Sequence, residues 1–150
     1  MVNVGIRMSN IGEFLRVFVV DVEKEEIKMI DMPNTLRDMK KLTKASCIEI
    51  GDIEVQGQAF KAVFGSKVKT NQHISCADVD GKVVYRGNVI VVAFETDAYG
   101  NETLSSLTDD DINLLLANTG MMFIENGDSP YNAYVLCNVI DKDKKEEGKA

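Results

Sequence analysis

Most of the chain alternates apolar and polar residues with a period of two, and two short stretches change to a helical period. Leu15 to Asp21 and Glu26 to Met32 read as strands, joined into a hairpin by the polar turn Val22-Glu23-Lys24-Glu25. Pro33-Asn34-Thr35 then opens a helix. Asn34 or Thr35 can accept a bond from a free first-turn N–H, Asp38 stands three residues after Thr35, and the pattern runs to about Ala45. Ser46 to Ile50 alternates, Gly51-Asp52 reads as a turn, and Ile53-Glu54-Val55 alternates again. Gln58 to Phe64 reads as a half-buried strand and Gly65 to Gln72 as a loop. His73 to Val79 and Lys82 to Tyr85 are extended around Asp80-Gly81, the strongest hairpin signal in the chain. After the turn Arg86-Gly87-Asn88, the unbroken apolar run Val89 to Phe94 predicts a central strand covered on both faces. Tyr99-Gly100-Asn101 turns the chain into Glu102 to Leu107. Thr108 caps a second helix with Asp111 at the reciprocal position, and Ile112, Leu115 and Leu116 form its apolar face. Asn118-Thr119-Gly120 stops that helix. A loop with Gly127, Asp128 and Pro130 leads to a last strand, Tyr131 to Ile140.

Hairpin-length connections favour antiparallel pairing, and the absence of alternating βαβ units excludes a doubly wound fold. The expected class is α+β, a mainly antiparallel sheet of about seven strands with two short helices. No repeat or linker divides the chain, so residues 1–150 are expected to form a single domain, with 1–13 and 141–150 as flexible ends. The tail from Asp141 carries four acids and four bases and no large apolar residue. Patterned sequence begins only after Met8, which could serve as an alternative start.

Five segments occur in an order that resembles a known family. They are Ile30-Asp31-Met32-Pro33-Asn34-Thr35-Leu36 leading into a helix, Cys47-Ile48-Glu49-Ile50, the turn Asp80-Gly81-Lys82, the strand Gly87-Asn88-Val89-Ile90-Val91-Val92, and the helix start Ser106-Leu107-Thr108-Asp109-Asp110. The family consists of short proteins from Gram-positive bacteria and their phages and mobile elements, grouped as a domain of unknown function. The resemblance spans about residues 15 to 116. It implies a small α+β domain and a phage or mobile-element context, and it implies no reaction.

Charge changes the picture of what the domain can touch. Asp and Glu number 24 against 17 Lys and Arg, a net charge of −7, which disfavours coating nucleic acid or an anionic membrane. No apolar run reaches the ~20 residues of a membrane span. The N-terminal stretch lacks the basic start, unbroken apolar core and cleavage site of a signal peptide, so a cytoplasmic location is expected. Three widely spaced cysteines, Cys47, Cys76 and Cys137, fit reduced thiols better than a disulfide framework.

The sharpest chemical constellation is those thiols with His73, the single histidine. His73 and Cys76 could belong to a Cys₃His zinc site, but residues three apart on a strand face opposite sides, and only one close pair exists. A Cys/His nucleophile is the related enzyme reading, although no cysteine precedes a predicted helix that would stabilise its thiolate. Asp109, Asp110 and Asp111 are accounted for by capping and the helix dipole, Glu23, Glu25 and Glu26 by a hairpin turn. Gly51, Gly57 and Gly65 are isolated and form no phosphate loop. On the first helix Arg37, Lys40, Lys41 and Lys44 fall on one side, opposite Leu36, Met39, Leu42 and Thr43. This basic stripe is the candidate interaction surface, for an acidic partner or for weak, salt-sensitive contact with nucleic acid. Met121-Met122-Phe123-Ile124 either closes the core or forms a partner patch.

Together these readings predict a non-catalytic binding or accessory protein, with no catalytic, metal or cofactor site, whose partner is another protein or a second copy of itself. A small Cys/His enzyme is the alternative, and nucleic-acid contact through the first helix the third.

Overall fold

The structure is a computed structural model that describes residues 13–67, 72–125 and 130–143. The proposed start at Met8, the loop residues Gly127 and Asp128, and most of the two expected flexible ends lie outside the described residues. The described part is α+β and mainly antiparallel.

Strands β1 (Phe14–Asp21) and β2 (Glu26–Pro33) form the expected hairpin, in register from Phe14 opposite Pro33 to Asp21 opposite Glu26. Helix α1 (Leu36–Thr43) follows, with Thr35 capping it through the Asp38 N–H at 3.1 Å. It is two residues shorter than expected, because Lys44 turns left-handed (φ 57°) and ends it. Strands β3 (Ile48–Val55) and β4 (Gln58–Gly65) form the next hairpin, then β5 (Ile74–Ala77), β6 (Val83–Arg86), β7 (Val89–Thr96) and β8 (Glu102–Ser105). Helix α2 (Asp109–Ala117) carries the full reciprocal cap, Thr108 N–H to Asp111 and Asp111 N–H to Thr108. Strands β9 (Thr119–Ile124), β10 (Tyr131–Leu136) and β11 (Val139–Asp141) complete the described chain.

The strands build two sheets. The main one has seven strands in the order β11-β3-β4-β7-β1-β2, with β8 paired to the far half of β7. The smaller one is β6-β5-β10-β9, where β10 and β5 make the parallel contact Leu136 to Cys76. The run Val89 to Phe94 does what its composition predicts. Val89 and Val91 lie in a core with Phe18, Phe60, Ile53 and Leu136, whereas Ile90 and Val92 lie in a second core with Val17, Val19, Val63 and Met39. The smaller sheet and α2 therefore cover one face of the main sheet, and α1 covers part of the other.

Four expectations need correction. Gly51-Asp52 is not a turn but the middle of β3, opposite Ala62 and Lys61. Gly51 is required there by close approach, since a Cβ would lie 3.0 Å from Asp143, 3.1 Å from Phe64 and 3.2 Å from the Tyr85 hydroxyl. The actual turn is Gln56-Gly57, both with positive φ, as a two-residue hairpin loop demands. Tyr131 to Ile140 is not one strand. It breaks at Cys137-Asn138, where Asn138 turns left-handed (φ 60°) and the chain passes from the smaller sheet into the main one. Asp141 and Asp143, assigned to a flexible tail, hold structure: Asp141 pairs with Ile53, and an Asp143 oxygen accepts the Asp52 N–H at 2.8 Å. Leu36 and Leu116, expected on apolar helix faces, are exposed, and the helices bury Met39 and Thr43, and Ile112 and Leu115, instead.

Candidate functional site

The thiols and the imidazole do not assemble. Among the described residues no three His, Cys, Asp or Glu side chains are grouped to hold a metal ion, and no hydrogen bond joins His73 to a sulfur. The His73 ring instead stacks on Tyr131, centroids 3.7 Å apart and planes 9° from parallel, and the Tyr131 hydroxyl accepts the Ile74 N–H at 3.2 Å. Cys76 is fully buried, and burial pushes its thiol up to about 12. Burial also raises Cys137, whose thiol donates to the Val135 carbonyl at 3.6 Å. Neither sulfur is held as the thiolate that nucleophilic chemistry requires. Cys47 is exposed at the start of β3, and all three cysteines are free.

The basic stripe is on the surface. Arg37, Lys41 and Lys44 are exposed and Lys40 half-buried. Lys44 stands just beyond α1 as its C-cap and pairs with Glu23 at 3.4 Å. Behind the stripe a buried amide organises three segments. Asn88, 5% exposed, accepts the Val22 N–H at 2.9 Å and donates to the Leu42 carbonyl at 3.0 Å, joining the first hairpin turn, the end of α1 and the start of β7. Residue type alone could not reveal this, because the turn Arg86-Gly87-Asn88 reads as solvated.

A second buried polar group is also hidden in the sequence. Lys61 lies within an apolar run on β4, yet its ammonium donates to both Asp52 on β3 and Glu102 on β8 and sits 4.6 Å from the centre of the Phe94 ring. Burial opposes its charge, but the bonds to Asp52 and Glu102 and their charges outweigh burial and hold its pKa above the ordinary 10.5. The resulting stability is present below the unfolded lysine value and fades as pH rises through the folded one. The side chains of Asp52 and Glu102 are about half exposed, and the trio ties three strands of the main sheet together.

The segment Met121 to Ile124 is both alternatives at once. As strand β9 it alternates: Met122 and Ile124 pack beside Ala133 and Val135, while Met121 (53% exposed) and Phe123 (61%) face out. Tyr134, opposite Met121 on β10, is 45% exposed on the same face. β9 ends the smaller sheet, with β10 on one side and no strand on the other among the described residues. The other edges are blunted or short. β2 carries Glu26, Lys28, Asp31 and Pro33, and β6, β8 and β11 have four, four and three residues. β9 has six residues with neither charge nor proline.

No helix among the described residues is long and apolar enough to cross a membrane. No family model matches the chain, and neither does any curated protein or solved structure.

Proposed function

We propose that this chain is a non-catalytic, cytoplasmic binding protein whose first partner is a second copy of itself, joined through β9. The observation that carries the reading is that, among the described residues, β9 is an unpaired strand edge bearing outward Met121 and Phe123, whereas the other described edges are charged or short. An exposed edge offers a row of backbone donors and acceptors to another strand. Pairing with its own copy in antiparallel sense closes a two-fold dimer and continues the smaller sheet across the seam. Met121, Phe123 and Tyr134 then lie together along that seam as cross-strand apolar and aromatic pairs. The strand itself is uncharged, so the net charge of −7 is not concentrated where two copies meet. The resemblance to short proteins of Gram-positive bacteria and their phages extends the reading to an accessory role on a mobile element, which the neighbouring genes test.

Light scattering coupled to gel filtration tests the dimer. The full chain is expected at twice its 16.6 kDa mass, and Phe123→Lys at the monomer mass, still cooperatively folded but with a melting temperature that no longer rises with protein concentration. A wild-type chain that stays monomeric at about 100 μM, well above the Kd of a stable homodimer, overturns the reading. Nucleic-acid contact through Arg37, Lys40 and Lys41 is the competing use of the surface, and it predicts binding that falls steeply with salt.

A further inference from the structure

A cleft of about 360 Å³ opens where the end of α1, the start of β3, the end of β4 and the turn into β7 meet. Lys44, Ser46, Cys47, Lys67, Gln72 and Asn88 line it, and Gly65 and Gly87 add backbone without side chains to fill it. Its lining is unlike the rest of the molecule. In a chain with seven more acidic than basic residues, the described residues of this lining include two lysines and no carboxylate. Among the described residues it also has no aromatic and no large aliphatic side chain, and those residues offer no platform for a nucleobase or an apolar ligand.

We infer that this cleft binds a small phosphorylated, hydroxyl-bearing molecule, with the Lys44 and Lys67 ammonium groups on the phosphate and Ser46, Gln72 and Asn88 supplying neutral hydrogen-bonding groups for the hydroxyls. Lysine acts on phosphate as a point charge and needs no fixed fork geometry, which suits two lysines contributed by separate segments. Asn88 spends one amide N–H on the Leu42 carbonyl, and its NH₂ carries a second donor. Two features work against an anion, the negative end of the α1 dipole and the Glu23 carboxylate beside Lys44, and the first is largely neutralised. The Met39, Lys40 and Leu42 carbonyls already accept from Thr43, from Ala45 and from Asn88. Glu23 holds Lys44 only loosely, at 3.4 Å with both side chains about half exposed, so an incoming phosphate can replace it. The volume limits the occupant. It is at the small end of ligand sites, enough for a sugar phosphate, whereas a polymer would have to extend beyond the cleft.

The inference is independent of the β9 dimer, and its test is read on a different surface. Ribose 5-phosphate, pyrophosphate and inorganic phosphate are titrated into the full chain at low salt. Amide NMR shifts and the alkylation rate of Cys47 by uncharged iodoacetamide are followed together. The exposed thiol in the cleft is expected to be protected, while buried Cys76 serves as an internal control. Saturable shifts at Ser46, Gln72 and Asn88 are expected, strongest with ribose 5-phosphate. Lys67→Gln and Lys44→Gln are each expected to weaken binding by about tenfold, the size of one lost charged contact, at unchanged melting temperature. Lys41→Gln on the helix stripe is expected to leave binding unaltered. Absence of saturation by any probe at about 10 mM, where even a millimolar site fills, overturns the inference. So does an equal loss in Lys41→Gln and Lys67→Gln, which would mean diffuse attraction to the basic face. Tighter binding of inorganic phosphate than of the sugar ester would overturn the assignment of the hydroxyl partners.

Discussion

Strands β7 and β9 are both dominated by apolar residues and end in different surroundings. β7 lies between β4 and β1, with Val89 and Val91 in one core and Ile90 and Val92 in the other. β9 has β10 on one side only and turns Met121 and Phe123 to solvent. Residue type within the apolar class carries part of the difference. β7 is built from β-branched Val and Ile, which fit a strand packed from both faces. β9 uses flexible Met and a large aromatic, the types favoured where a surface must adapt to a partner. Hydrophobicity alone therefore does not report burial. The number of faces and edges that the topology covers decides it.

Substitutions can sharpen the contrast, and the largest effect belongs to the centre. Ile90→Ala is expected to destabilise the fold by about 2–5 kcal/mol, as measured by denaturant titration, because its neighbours are too closely packed to collapse fully into the space. Phe123→Ala should change stability by less than about 0.5 kcal/mol in the same assay, run dilute enough to keep the chain monomeric, and equal losses at the two sites would erase the distinction. Asn88→Ala comes next. It strands the buried Val22 N–H and Leu42 carbonyl, for about 1–3 kcal/mol, and hydrogen exchange at Val22 should accelerate with it.

The acid limb of the stability curve gives a smaller effect, confined to the rim of β1. Burial tends to raise the Asp21 carboxyl, but the N–H groups of Lys24 and Glu23 and the charge of Lys28 outweigh it and hold its pKa below the ordinary 3.8. Its contribution is complete above the unfolded value and is lost as pH falls through the folded one. Asp21→Asn should therefore flatten the fall in melting temperature below about pH 4. The smallest effect on intrinsic stability is at β9: at a protein concentration low enough to keep the wild type monomeric, Phe123→Lys should leave unfolding within about 0.5 kcal/mol of wild type, while removing self-association at higher concentration.

Much of the architecture was legible in local chemistry. The caps at Thr35 and Thr108, the buried run in β7 and the hairpin around Asp80-Gly81 all depend on residues close in sequence. What escaped depends on distant partners. Gly51 reads as a turn residue until the Tyr85 and Phe64 rings, 4.4 Å apart, occupy the space a side chain would need. Lys61 is one polar position in a strand that reads as half-buried, and its role shows only once Asp52 and Glu102 arrive from two other strands. β9 escaped because Met121 and Phe123 are as apolar as the residues they alternate with, so the period-two signal vanishes. The cleft at Lys44 and Lys67 joins four separate segments, and only the stripe beside it has a helical spacing that can be read along the chain.

The passage of the chain between sheets at Asn138 bears on how the protein is made. β10 and β11, on either side of that residue, supply neighbours to β5 and to β3, strands translated long before them. Until the ribosome has released those late segments, both earlier strands present open flanks. Completion of both sheets must then wait for the last described stretch, a slow and non-local step during which a chaperone has something to hold.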